Sequence, residues 1–247
     1  MNYCDLTLPA PEENLACDEA LLDFAEEQVT AGASTGFGGG ILRFWESTRY
    51  FVALGYGKEL SKEVNVEFCR RNTIPVLRRC TGGGTVLQGP GVLNYALILN
   101  VDSQAPLQNI TSTNRYIMEM HREAFTRLLG APVEVSGHTD LAIGGLKFSG
   151  NAQRRRKRHV LFHGCFLLHM DIDIMEQALP IPAVKPAYRL ERTHREFLLN
   201  LKIDSNLIKQ GLRKTWNASH PLESIPYERI GVLQRDRYSR EEWNARM

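Results

Sequence analysis

The sequence predicts an α/β or α+β fold built on a mixed sheet, and three observations support it. Segments of helical periodicity interleave with short β-type runs along the first half of the chain. The 247 residues are 43% hydrophobic and 23% charged, which supports one or two packed cores and excludes disorder or a disulfide-stapled miniprotein. No internal repeat divides the chain into an array.

Each element follows from local pattern. Residues 14–28 form an amphipathic helix, with Leu15, Leu21, Leu22 and Ala25 near helical spacing. The glycine-rich stretch 31–40 ends it as a flexible loop. ILRFWES and YFVALGYG follow as two β-type runs separated by a turn, the pattern of a hairpin. Residues 61–72 read as helix with Val64 and Phe68 on one face; IPVLRR and VLNYALIL read as strands. The clearest helix spans 111–129, where Ile117, Met120, Ala124 and Leu128 form a stripe, Thr113 is the candidate N-cap and Gly130 the stop. Further β-type runs fall at 132–135, 141–143 and 160–170, and helices at 192–201 and 205–217. The stretch PIPAVKP, 180–186, marks where a helical tail would leave the core.

Charge and cysteine usage narrow the classes. Thirty Lys+Arg against 28 Asp+Glu give a net charge of +2, so the chain as a whole is not built to coat nucleic acid. Cys4, Cys17, Cys69, Cys80 and Cys165 are widely spaced, which suits free thiols in a reducing compartment. The N-terminal segment turns acidic before any apolar run builds up, and the apolar stretches at 92–99 and 160–170 are too short to span a bilayer. A cytoplasmic enzyme or binding protein is expected. His159 and His163 share a strand face without a third ligand, so no protein metal site is expected. His121 and His194 fall on helices and default to surface or packing roles.

Two segments carry chemistry. In RRCTGGGTVLQGPG, Gly82, Gly83 and Gly84 lie between two strands behind Arg78 and Arg79. Consecutive glycines let backbone N–H groups turn toward one point, a nest suited to an anion. The spacing fits neither a P-loop nor G-x-G-x-x-G, and a ligand-free tight turn stands level with an anion site. In DLAIGGLKFSGNAQ, Gly144-Gly145 signals a hairpin turn and puts Lys147 early in the following strand. A lysine there is either a solvated edge residue or a cation placed to hold a phosphate or carboxylate.

RRCTGGGTVLQGPG, then DLAIGGLKFSGNAQ and HGCFLLHMDID, together with NLACDEALL and LRFWES near the start, resemble the lipoate–protein ligase A family. The resemblance spans about two-thirds of the chain, residues 14–171. It implies a biotin/lipoate ligase-like catalytic domain with mixed, largely antiparallel sheets flanked by helices. It also implies ATP-dependent conversion of lipoate, or octanoate, to an acyl-adenylate, with Mg²⁺ carried by the nucleotide. The acyl group would then pass to a lysine of a lipoyl carrier domain, such as that of a 2-oxoacid dehydrogenase or the glycine-cleavage H protein. Matched by motif, Lys147 is the central cation and Arg79, Gly82, Gly83, Gly84, Thr85 and Val86 form the loop. Asn94, Asp140, Ser149, Gly150, Asn151, His163 and Gly164 supply walls, and Lys185, with Arg189 and Arg192, a basic closing element. The expected organisation is a single catalytic domain, 1–247, with 181–247 a basic helical extension and no accessory domain, so that either a separate subunit supplies that function or the overall reaction is only partly performed.

The chain departs from the family at Gln88, where ligases commonly carry histidine, so no proton transfer is assigned there. One rival is an octanoyl- or lipoyltransferase working without ATP through a cysteine thioester, which needs an activated thiolate. The regions where such relatives place that cysteine contain none here; Cys165 reads as a buried structural thiol, and Cys80 lies next to the glycine loop. A second rival is nucleic-acid binding through Arg154, Arg155, Arg156, Lys157 and Arg158. Without interleaved aromatics that run reads first as a solvated hairpin loop, then as a steering surface for an acidic lipoyl domain or a phosphate clamp.

Overall fold

The run VLNYALILN, Val92–Asn100, is buried along its first eight residues. A strand this apolar must be covered on both faces, and it forms the centre of the molecule. The structure, a computed structural model, describes residues 1–30 and 39–246, so the loop expected at 31–40 falls almost wholly outside the described residues. Among the described residues the strands are β1 (Asn2–Asp5), β2 (Ile41–Glu46), β3 (Phe51–Leu54), β4 (Val76–Arg78), β5 (Val86–Gln88), β6 (Val92–Asn100), β7 (Glu134–Ser136), β8 (Asp140–Ile143), β9 (Leu146–Arg155), β10 (His159–Leu167) and β11 (His220–Pro221). They make one large sheet in the order β11-β1-β2-β6-β10-β9-β8-β7 and a small one in the order β4-β3-β5. Both sheets are mixed, with β1 parallel to β2 and β11, β3 parallel to β4, and the remaining pairs antiparallel.

Helices cover both faces of the large sheet. Pro11 at the first turn and the Glu13 carboxylate, which accepts from Ala10 N–H at 2.9 Å, start α1 (Pro11–Thr30) three residues before the expected position. The expected helix 61–72 is two short ones, α2 (Leu60–Glu63) and α3 (Val66–Arg71), because Val64 is extended and the Asn65 side chain caps Phe68 N–H. In α4 (Ile110–Leu129) the N-cap is Asn109, which accepts from Ser112 N–H at 2.9 Å. Thr113 is instead buried, its hydroxyl turned to Pro106 O, while Gly130 ends the helix in the left-handed region as expected. Next come α5 (Ile172–Ala178), α6 (His194–Phe197), α7 (Ser205–Thr215), α8 (Tyr227–Leu233) and α9 (Glu241–Asn244).

Two further expectations fail for tertiary reasons. ILRFWES and YFVALGYG do not pair as a hairpin, because all four residues of β3 are buried and the strand sits at the centre of the small sheet. The helix expected at 192–201 stops at Phe197, because Leu198 bridges Lys147 and Leu199 N–H bonds to Lys147 O at 2.8 Å, so the backbone is taken up by β9.

Residues opposite one another on neighbouring strands share a face. On one face Phe44, Tyr95, Phe162 and Phe166 pack against α4 and α7, with Phe125 4.6 Å from Phe166 between ring centres. His121 accepts from Trp216 Nε1 at 2.9 Å, which requires a neutral ring, and burial pushes its pKa down to about 3. The other face is covered by α1 and α8 at one end and by the small sheet, α3 and α5 at the other.

The C-terminal residues close over β4. Fully buried Arg78 donates to six carbonyls, of Gly55, Tyr56 and Lys58 on one side and Trp243, Asn244 and Arg246 on the other. Asn244 Oδ1 also accepts from Arg78 N–H at 2.8 Å. A chain ending at Arg240 leaves this guanidinium with half its acceptors and is expected to lose about 3 kcal/mol in urea unfolding, because three bonds worth about 1.5–3 kcal/mol each are lost and water replaces part of them at the newly opened site.

Candidate active site

The register Trp45–Asn94–Cys165–Gly150 runs straight across β2, β6, β10 and β9. These residues share the face turned toward the small sheet and form the floor of a cavity of about 650 Å³. Three strand spacings of about 4.8 Å make that floor roughly 14 Å long. The glycine loop from the small sheet and residues 180–198 complete its walls. Lys147, Arg79, Gly82, Gly83, Gly84, Thr85, Val86, Asn94, Asp140, Ser149, Gly150, Asn151, His163, Gly164 and Lys185 all line it.

The glycine loop is braced from inside the core. Arg43 is wholly buried and pairs with Asp18 Oδ1 at 2.6 Å. Asp18 Oδ2 meets His163 Nδ1 at 3.0 Å, and His163 Nε2 meets Thr81 Oγ1 at 2.7 Å. The Thr81 hydroxyl oxygen accepts from Arg79 Nε at 2.9 Å. This order assigns the proton to Nδ1 of His163, which donates to Asp18, leaving Nε2 to accept from Thr81. Burial raises the Asp18 pKa, but Arg43 and His163 outweigh it and hold the carboxyl below its ordinary value. Arg79 ends the chain: Nη2 donates to Gly82 O at 2.6 Å and Gly84 O at 2.7 Å. The two carbonyls thus turn to the guanidinium, while Gly83 takes φ +87 and the three glycines stay exposed. Arg79 therefore shapes the loop instead of reaching across it. On the far side Thr85 donates to Glu63, which also holds Lys58.

Lys147 reaches the cavity through a β-bulge. Pairing steps from Leu141↔Ser149 to Ala142↔Lys147, so β9 advances two residues while β8 advances one. Strict alternation from Ser149, opposite Phe166, would put Lys147 on the α4 face. The bulge re-aims it: Lys147 Nζ lies 3.0 Å from where a Cβ on Gly150 would stand, on the same face as Cys165. There Nζ pairs with Asp140 Oδ1 at 2.8 Å, and Tyr188 donates to Asp140 Oδ2 at 2.8 Å. Gly144 and Gly145, at φ +55 and +75, make the turn that the sequence signals.

Other predicted residues act as supports. Asn151 Nδ2 donates to Thr139 O at 2.5 Å and its Oδ1 accepts from Tyr95 at 2.5 Å, across the bare Cα of Gly164. Lys185 pairs with exposed Glu191 at 2.6 Å. Asn94 Nδ2, Gln88 Oε1, Trp45 Nε1, Arg189 Nη2 and His194 Nε2 are buried on the lining without a partner among the described residues. They are the hydrogen-bonding capacity available to a bound molecule, since a buried polar atom left unpaired is costly. All five thiols are raised above the ordinary range, chiefly by burial: Cys80 and Cys4 to about 12, Cys17 to about 11, with Cys69 and Cys165 also up.

The basic run falls at the β9–β10 hairpin, but its side chains are largely engaged. Arg154 donates to Cys80 O, Arg155 to Leu107 O, and Arg156 to Asp23, while Arg158 N–H bonds to Glu26. Arg156, Lys157 and Arg158 are exposed, and with Arg156 paired to Asp23 the run makes a poor phosphate track.

Sequence reasoning missed Asp18, Arg43, Thr81, Glu63 and Tyr188. One signal was present for Asp18, which lies three residues from both Leu15 and Leu21. A carboxylate on that apolar stripe needs a buried partner.

A family model of the lipoyl protein ligase A/B catalytic domain matches residues 10–212. The chain belongs to this family. A lipoate-protein ligase A subunit 1 from Thermoplasma acidophilum is 30% identical over 226 residues, covering 83% of this chain and 84% of that protein. An octanoyltransferase LipM from Moorella thermoacetica is 26% identical over 247 residues, covering 90% and 87%. The fold is also similar, with TM-score 0.80 and 26% identity over 99% and 95% of the chains, to a bi-partite lipoate protein ligase solved in a study with its E2 lipoyl domain from Thermoplasma acidophilum. A lipoate-protein ligase A bound with ATP gives TM-score 0.80 at 25% identity over 99% and 98%. The chain is thus a lipoate-attachment enzyme whose relatives include both ligases and octanoyltransferases.

Asp18→Asn removes the counter-ion of buried Arg43 and is expected to cost about 3–5 kcal/mol in denaturant unfolding. The depressed Asp18 pKa stabilises the fold fully above about pH 4, and that contribution disappears as pH falls through the depressed value. Unfolding free energies of wild type and variant should therefore converge on acidification. Gly164→Ala puts a Cβ 1.9 Å from Asn151 Oδ1, so it should displace the Asn151 side chain and lower the thermal midpoint by several degrees.

Proposed function

We propose that this chain activates lipoate, or octanoate, with ATP and transfers the acyl group to a lysine of a lipoyl carrier domain. The observation that carries the reading is one cavity bordered by Lys147, by an exposed glycine loop and by a thiol, Cys165, that burial keeps protonated.

Adenylation brings a carboxylate against a triphosphate, so negative charge must be neutralised before oxygen attacks the α-phosphorus. Lys147 supplies a fixed cation. Gly83 and Gly84 amides, whose neighbouring carbonyls are turned to Arg79, are free to meet phosphate oxygens. A Cβ on Gly82 or Gly84 would meet nothing within 4 Å, so the loop is open enough for a phosphate to approach the backbone. The nucleotide itself would supply an electrophilic phosphorus and an adenylate leaving group. Mg²⁺ would ride on the triphosphate. The acyl chain would lie along the Gly150–Cys165–Asn94–Trp45 floor, whose length suits an eight-carbon acid.

Within this reading Asp140, Ser149, Gly150 and Asn151 hold Lys147 and its strand. His163 and Gly164 support the loop and Asn151, and Lys185 stands at the mouth. The acceptor would be a lipoyl domain, as the bi-partite relative was studied with its E2 lipoyl domain, and a second subunit is a natural partner for a chain similar to a subunit 1. We extend the reading to one catalytic domain in a reducing, cytoplasmic setting, with the extension that begins at residue 181 packed onto it.

The LipM relatives favour a thioester route as the second reading, which needs a thiol with a low pKa; the five raised thiols argue against it. Lipoate, octanoate and biotin, each with ATP, would be scored for pyrophosphate release with and without an apo lipoyl domain. Release with lipoate or octanoate is expected, falling about 10²–10³-fold in Lys147→Ala and surviving in Cys80→Ser and Cys165→Ser. Absence of release with all three acids overturns the reading, and a cysteine-dependent acyl-enzyme seen by intact mass establishes the thioester route.

A further inference from the structure

Residues 185–193 are tied across the mouth of the cavity by their own side chains. Arg189 Nε donates to Arg192 O at 3.1 Å, Arg192 Nε returns to Arg189 O at 3.0 Å, and both guanidiniums stack over Phe197. Arg192 also donates to Gly145 O at 3.0 Å, joining the segment to the turn between β8 and β9, which carry Asp140 and Lys147. Between these arginines Leu190 takes φ 54 and ψ −139, a conformation that favours glycine, with its side chain 67% exposed. Strain of that kind persists only where the surroundings over-determine it. What the brace delivers is Tyr188: its ring packs on Phe197 at 5.1 Å, its carbonyl accepts from Arg192 at 2.5 Å, and its hydroxyl donates to Asp140.

We propose that Tyr188 is a positioning residue for Lys147, acting through Asp140 by occupying one carboxylate oxygen so that the ammonium meets only the other. The proposal rests on Lys147 being the cation of the reading above. With Oδ2 taken by Tyr188, Asp140 cannot chelate the ammonium through both oxygens, and two of its three N–H donors stay free to face the cavity. Burial and the Asp140 charge both raise the Tyr188 pKa, so the hydroxyl remains protonated and donating. Without that hydroxyl, Oδ2 loses its donor on a side chain only 12% exposed. The carboxylate then turns to take the ammonium with both oxygens and draws Lys147 off the reacting centre.

The test is Tyr188→Phe in the full chain, measured by lipoate- and ATP-dependent pyrophosphate release and by the ¹H–¹⁵N resonance of the Lys147 ammonium, assigned through its loss in Lys147→Ala. The expected result is a kcat about tenfold lower, the effect of one charged hydrogen bond. KM for ATP and lipoate should stay within about twofold, the thermal midpoint should hold, and the ammonium resonance should shift. An unchanged resonance overturns the proposal, whatever the kinetics, and so does an unchanged kcat in an active enzyme. A raised KM at constant kcat would also overturn it, making Tyr188 a binding contact. If the wild-type chain releases no pyrophosphate, the functional reading fails separately, and the resonance alone decides whether Tyr188 positions Lys147.

Discussion

The site depends on one buried ion pair, Arg43 with Asp18, and on the hydrogen bonds that carry its orientation outward. A pair of this kind is a poor stabiliser compared with apolar packing of the same volume. Its effect is geometric. Asp18 fixes the tautomer of His163, His163 fixes the Thr81 hydroxyl, and Thr81 and two loop carbonyls fix the Arg79 guanidinium. Three elements distant in sequence, α1, β10 and the approach to the glycine loop, are thereby held to one arrangement. Glycines that would otherwise sample many conformations are confined by carbonyl contacts and not by side chains of their own.

The opposite wall is fixed by a different device. A one-residue bulge in β9 turns Lys147 from the packed face of the sheet to the cavity, and Leu198 and Leu199 clamp the same strand from outside. The two walls are tied directly where Arg154 of β9 donates to Cys80 O, and both rest on β10, which presents His163 to one and Gly164 to the other. Small displacements of β10 would therefore be felt on both sides of the cavity.

Much of this was legible in the sequence, because its signals are local. The Gly144-Gly145 turn, the apolar run of β6, the stripe and C-cap of α4 and the glycine loop are written in adjacent residues, and the motif residues other than Arg192 converge on the cavity. What stayed illegible is set by partners far along the chain. The bulge at Lys147 has no signature in LKFSGN, since it arises from pairing with β8. The separation of β2 from β3 depends on a second sheet, which no single run announces. Arg79 looks like a ligand-facing cation until its four hydrogen-bonded neighbours are seen, and Tyr188 lies in a segment too irregular for periodicity to read.

The cage around Arg78 bears on how the molecule is made. Half of its oxygen acceptors come from residues 243–246, and Arg78 immediately precedes the arginine that shapes the glycine loop. During synthesis the segment around residue 78 leaves the ribosome long before those acceptors exist. Until they emerge, a guanidinium destined for the interior has to remain hydrated, so this wall of the cavity can reach its final form only after residue 246 has cleared the exit tunnel.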